Sequence, residues 1–94
     1  EKKIMGDQFV ESIDSVGANI AEGYRRYHYL DKIKFYYNGR ASLSEACTHW
    51  AELLCERGKI SADELKVLHE LQTNIDIKLN QLIKRTYTLK EKKE

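Results

Sequence analysis

The chain has 94 residues, no proline, five glycines and a formal charge of +1. That length suits one domain, and no run of about 20 apolar residues offers a membrane span. The charged N-terminus lacks the apolar centre of a signal peptide, so a soluble cytoplasmic protein is expected. A net charge near zero does not mark the whole chain as a nucleic-acid binder.

The first predicted helix covers residues 3–22. Phe9, Ile13, Val16 and Ile20 recur at the 4-3-4 spacing of one helical face. Gly23 follows, and a glycine there is expected to take the left-handed conformation that ends a helix.

The second predicted helix is long, residues 30–57, roughly 42 Å at the α-helical rise, and Gly58 stops it. It carries two apolar stripes. One runs Leu30, Ile33, Tyr37, Arg40, Ser44, Cys47, Ala51, Leu54. The other runs Tyr29, Tyr36, Leu43, Trp50, with Ala46 and Leu53 beside it. A surface helix needs one such face. The second asks for a further helix or a second subunit, which makes Tyr36, Leu43 and Trp50 the expected oligomer interface.

The third predicted helix, residues 61–86, opens on Ser61-Ala62-Asp63-Glu64, a capping-box pattern. Leu65, Leu68, Leu71, Ile75, Leu79 and Leu82 form its buried face. The lysine-rich tail, 87–94, is expected to fray. No strand period occurs, and short connections place consecutive helices antiparallel. The expectation is an all-α, up-down bundle of three helices with one open side.

Charge is uneven along this chain. Residues 24–40 hold Arg25, Arg26, Lys32, Lys34 and Arg40 against Asp31 alone, and the tail from Lys84 holds five cations and two anions. Within Tyr24-Arg25-Arg26-Tyr27-His28-Tyr29 the arginines suit phosphates and the rings suit stacking on unpaired bases. The same residues also suit a helix corner, with rings covering the bundle end and arginines capping the first helix's carbonyls. A protein-partner surface is the third reading. Arg25, Arg26, Lys32, Lys34, Tyr24 and Tyr27 are the candidate nucleic-acid contacts, with Lys84 and Arg85 behind them.

Arg40 falls on a core stripe, where a buried arginine needs a partner. Glu22 or Glu45 is expected to supply it, with Asn19 bridging to backbone, as a polar network fixing helix register. Glu45, His49, Glu52 and Glu56 share a face, but a di-iron bundle needs Glu-x-x-His and the sequence has none. No nucleophile stands beside a base and no glycine loop cradles phosphate. A non-enzyme without metal or cofactor is expected. Cys47 and Cys55, roughly 12 Å apart on one helix, are too far apart to bridge and read as packed thiols.

Ser15-Val16-Gly17-Ala18-Asn19-Ile20-Ala21-Glu22-Gly23 resembles the S-I-P-A-N-I-A-E-G signature of a bacterial four-helix bundle family. That family includes proteins encoded in intervening sequences of large-subunit (23S) ribosomal RNA genes and the accessory variability proteins of diversity-generating retroelements. Further along, Arg40-Ala41-Ser42-Leu43-Ser44-Glu45 resembles the family's R-G-S-L-A-E, and Gln8, Arg26 and Phe35 also match. Gly17 departs from the usual proline. Val10 and Glu11 stand where arginines are common, which weakens any basic face on the first helix. Most members carry a further helix before the signature, and the sequence reads as starting after it. The resemblance implies a left-handed antiparallel four-helix bundle, assembly as a ring of five, and binding in place of catalysis. In one branch it implies nucleic acid and a reverse transcriptase as partners. In the other it implies a protein of unsettled role, here read as a protein-interaction scaffold.

Overall fold

The computed structural model describes residues 2–93, with side chains from 3 to 89. Its elements are α1 (Lys2–Arg25), α2 (Tyr29–Ser44), a π-helical segment (Glu45–Trp50), α3 (Ala51–Glu56) and α4 (Ala62–Lys93). Among the described residues there is no strand. Glu45 and Ala51, at the two junctions, keep right-handed helical dihedrals. The segments from Tyr29 to Glu56 therefore form one continuous rod, and the fold is three long helical rods.

Local chemistry sets the ends of these rods. His28 caps α2, its Nδ1 accepting from the Leu30 amide at 3.2 Å. Gly58, at φ +71°, ends α3. The Gly58 amide donates to Cys55 O and the Lys59 amide to Leu54 O, the paired bonds of a Schellman motif. Ser61 and Glu64 form the expected reciprocal capping box. The Glu64 amide donates to Ser61 Oγ at 3.0 Å, and the Ser61 amide donates to Glu64 Oε1 at 2.8 Å. Those bonds hold the Glu64 carboxyl below the usual carboxylate range.

Gly23 departs from its expected role. Its φ is not positive, and α1 continues two residues past it to Arg25. It is a contact residue: a Cβ built there would lie 2.4 Å from Tyr36 Cε1. α4 extends past Thr86, to Lys93. Thr86 and Thr88 donate their hydroxyls to Leu82 O and Lys84 O one turn back and so stay compatible with the helix. Residue 94 lies outside the described residues.

Both outer helices pack on the rod, and their backbones do not approach each other. Along α1, Ser12 meets Glu45, Ser15 meets Ser42, and Gly23 meets Tyr36. Along α4, Gln72 meets Thr48, Asn80 meets Arg40, and Ile83 packs with Ile33 and Tyr36. In both series the contacts fall in opposite order along the two elements. The result is a long thin layer, 53 × 22 × 13 Å in Cα extent.

This arrangement uses both apolar stripes of the rod. One core cluster joins Val16, Leu43, Ala46 and Cys47, flanked by Phe9, Ile20 and Ile75. The other joins Ile33, Tyr36 and Ile83, flanked by Tyr29 and Leu82. Tyr36 and Leu43, read from the sequence as oligomer contacts, are 1% and 2% exposed inside the chain's own core. Trp50 is half-buried and sits apart from that stripe, because the π-helical segment shifts the helical register. α1 and α4 have the rod as their one helical neighbour. Ile13 and Leu71, predicted to be buried, are consequently 37% and 50% exposed.

Candidate functional site

Folding gathers charge that the sequence keeps apart. Residues 23–40 and 77–89 together hold eight cations against one anion, Asp31. The C-terminal half of α4 packs beside α2, so these two segments share one end of the molecule. Residues 41–76, toward the other end, hold seven acidic and three basic residues. A chain of net charge +1 therefore has a strongly basic end. Lys78, on α4, joins Arg40 there only through the fold, and no local motif announces it.

The six candidate contact residues divide into two groups. On one flank, Arg25 Nη2 lies 2.7 Å from Glu22 Oε1 and Arg26 Nε 3.0 Å from Glu22 Oε2. The Arg26 guanidinium also sits 4.7 Å above the Phe35 ring. The hydrogen bond from Arg25 lowers the Glu22 carboxyl; desolvation opposes it, and the charges of both arginines add to the lowering. On the other flank, Lys32 Nζ donates to Gly23 O at 3.3 Å and Tyr24 O at 3.1 Å. The carbonyl end of α1 is thus capped by Lys32, where the corner reading assigns that task to arginines. Tyr24, 63% exposed, stands edge-on to Tyr36 with ring centroids 6.0 Å apart. Tyr24, Lys32 and Tyr36 face Leu82, Arg85, Thr86, Thr88 and Leu89 across a cleft of about 430 Å³. Tyr27, at 88% exposure, and Lys34, also exposed, lie at the surface of this end.

Asn19, Glu22, Arg40 and Glu45 do not form the single network expected of them. Asn19 donates to Ser15 O and Oγ within α1, at 2.8 and 3.0 Å. Arg40 is half-buried, bonds Asn80 on α4 at 2.6 Å, and stacks over Tyr37. The reason is directional: Arg40 faces α4, whereas Asn19 and Glu22 belong to α1 on the other side of the rod. Register is instead fixed pair by pair, by Ser12–Glu45 and Ser15–Ser42 toward α1 and by Arg40–Asn80 toward α4.

Glu45 opens the π-helical segment and Trp50 closes it. The Trp50 indole N–H and the Ser12 hydroxyl each donate to Glu45 Oε2 at 3.1 Å. These bonds, Trp50's first, hold the Glu45 carboxyl below its ordinary value. A depressed carboxylate contributes stability above its unfolded pKa and loses it as pH falls through the folded pKa. Trp50 emission should therefore show a transition on the acid side, below the ordinary carboxylate range. Glu45→Gln should remove that acid-side transition, as a fluorescence titration would show.

The remaining acidic and imidazole groups pair elsewhere. His49 stands edge-on to Trp50. His69 Nε2 lies 3.2 Å from both Glu52 Oε2 and Cys47 O. Among the described residues, no group of three His, Cys, Asp or Glu side chains is placed to hold a metal ion. Burial pushes the Cys47 thiol up, with Asp76 adding to the effect, which disfavours the reactive thiolate. Among the described residues no helix is long and apolar enough to cross a membrane.

The model of the 23S rRNA-intervening sequence protein family matches residues 1–81. The chain belongs to that family. No curated protein and no solved structure matches it. The family match spans both stretches that carry the resemblance, Ser15–Gly23 and Arg40–Glu45. In this member of the 23S rRNA-intervening sequence protein family the two stretches face each other along the contact of α1 with the rod. Ser15 bonds Ser42, Gly39 lies against Val16 and Asn19, and Val16 packs on Leu43. The signature thus has a packing role at this seam, and the basic end lies beside it.

Proposed function

We propose that this family member is a non-catalytic, homo-oligomeric helical-bundle protein that binds nucleic acid in the cytoplasm. The observation that carries the reading is the basic end: eight cations against two anions, Asp31 and Glu22, with exposed tyrosines among them. Such a surface attracts phosphate by counterion release and offers rings for stacking. The family resemblance supports an up-down antiparallel four-helix bundle, a ring of five copies, and a reverse transcriptase as partner. In a ring each basic end recurs, so weak contacts add by multivalency.

The test is binding of a fluorescent oligonucleotide at low salt. Arg25→Ala with Arg26→Ala should weaken it several-fold, whereas Lys66→Ala, toward the acidic end, should leave it unchanged. Absence of binding at low salt would contradict the reading. Light scattering addresses the ring: about five times the 11.0 kDa chain mass is expected, and the mass of one chain contradicts it.

A second reading is a protein-interaction scaffold encoded in a ribosomal-RNA intervening sequence, without nucleic-acid binding. Two observations favour it. Glu22 already engages both Arg25 and Arg26. Val10, Leu71 and Leu89 are about half-exposed on the outer helices, as at protein-docking surfaces.

A further inference from the structure

We propose that the cleft between Tyr24 and Leu89 seats one unpaired nucleotide of a single-stranded nucleic acid, its base against these two side chains and its phosphate between Lys32 and Arg85. This rests on the nucleic-acid reading above and adds the strand type and the place.

The cleft holds about 430 Å³, within the roughly 300–1,000 Å³ of small-ligand pockets. Its apolar lining comes from Tyr24, Tyr36, Leu82 and Leu89, and its two cations are Lys32 and Arg85. The Tyr24 ring is 63% exposed, yet Tyr36, which is fully buried, holds it edge-on. A base stacking there orders little that is not ordered already.

Lys32 is anchored at the rim of the cleft. Two of its ammonium protons serve Gly23 O and Tyr24 O, and an ammonium has three. The third is left for a phosphate oxygen, and both present partners are neutral carbonyls that leave its charge uncancelled. Arg85 lies in a stretch, residues 77–90, that contains no acidic residue. The opposite flank is less suited to phosphate, because Glu22 stands between Arg25 and Arg26.

A duplex keeps its bases paired and stacked, and extruding one costs a few kcal/mol; a single strand does not incur that cost. The cleft also reads base edges poorly. The hydroxyl protons of Thr86 and Thr88 are committed to Leu82 O and Lys84 O, so these two residues offer acceptors only. Recognition is therefore stacking and charge, with little sequence preference.

The experiment compares fluorescein-labelled oligothymidylate, single-stranded, with the same strand annealed to oligoadenylate, by anisotropy at low salt. Wild type should bind the single strand more tightly. Tyr24→Ala should weaken single-strand binding about tenfold, the loss of one stacked base, with duplex binding unchanged. Tyr24→Phe should retain binding. Arg85→Gln, a surface change with no packing consequence, should also weaken the single strand. Equal affinity for strand and duplex, or unchanged single-strand binding by both Tyr24→Ala and Arg85→Gln, would overturn the cleft while leaving the electrostatic reading standing. Failure of wild type to bind either probe would overturn both.

Discussion

Gly23→Ala should destabilise the protein although alanine is the better helix former. Gly23 lies inside α1, so helix propensity alone favours alanine by about 1 kcal/mol. A Cβ there, however, would lie 2.4, 2.9 and 3.1 Å from Cε1, Cδ1 and Cζ of Tyr36. Tyr36 is 1% exposed and packed with Ile33, Ile83, Tyr29 and Leu82, so its ring can shift only by giving up those contacts. Overpacking of this kind costs about 1–3 kcal/mol. The net change should be a lower melting temperature. Gly17→Ala is the internal control. Gly17 is exposed in the same helix, and a Cβ there meets nothing within 4 Å. That substitution should stabilise by about 1 kcal/mol. A thermal melt of the two variants should move them in opposite directions.

Leu43→Ala has the larger cost. Leu43 is 2% exposed and packed among Val16, Ala46 and Cys47. Truncating such a leucine costs about 2–5 kcal/mol, the lost transfer energy plus the cavity left behind. For a domain of this size that lowers the melting temperature by about 10 °C or more. Leu43→Met, which keeps the volume, should cost under about 1.5 kcal/mol. The same variant separates a core role from a subunit contact. A residue in the chain's own core loses its stabilisation at every protein concentration, whereas loss of a subunit contact weakens assembly and makes the melting temperature fall on dilution.

Where a local rule acts alone, the sequence shows the result. The Ser61–Glu64 box and the helix stop at Gly58 depend on near neighbours in sequence, and both form where the pattern predicts. The two apolar faces of the rod are legible from spacing, and both contribute to the core, although Leu30 and Tyr37 stay exposed. What spacing did not show was which contacts were internal. The stripe of Tyr36 and Leu43 asks for a further helix or a second subunit, and spacing does not choose between them. In the fold the outer helices flank the rod without meeting, and between them they pack against both.

Gly23 and Arg40 share one cause: each depends on a partner distant in sequence. Gly23 looks like a helix terminator until Tyr36 is placed over it. Arg40 looks like a partner for Glu22 until Asn80 arrives from α4. Trp50 follows a heptad until the π-helical segment turns it to Glu45. At the candidate site, Tyr24 and Lys32 were visible as neighbours in a basic, aromatic corner. Arg85 reads as a weaker candidate in a basic tail, and the cleft it completes exists once α4 lies alongside α2. The family was legible because its two signature stretches face each other across the seam of α1 and the rod.

The salt dependence of oligonucleotide binding tests the basic end most directly. Counterion release predicts an observed affinity that falls linearly on a log–log plot as salt rises. Lys32→Gln with Arg85→Gln should reduce that slope by about two, roughly one for each cation removed from phosphate contact. A slope that is shallow in the wild type, or identical in the double variant, would contradict the assignment of this end of the molecule to phosphate.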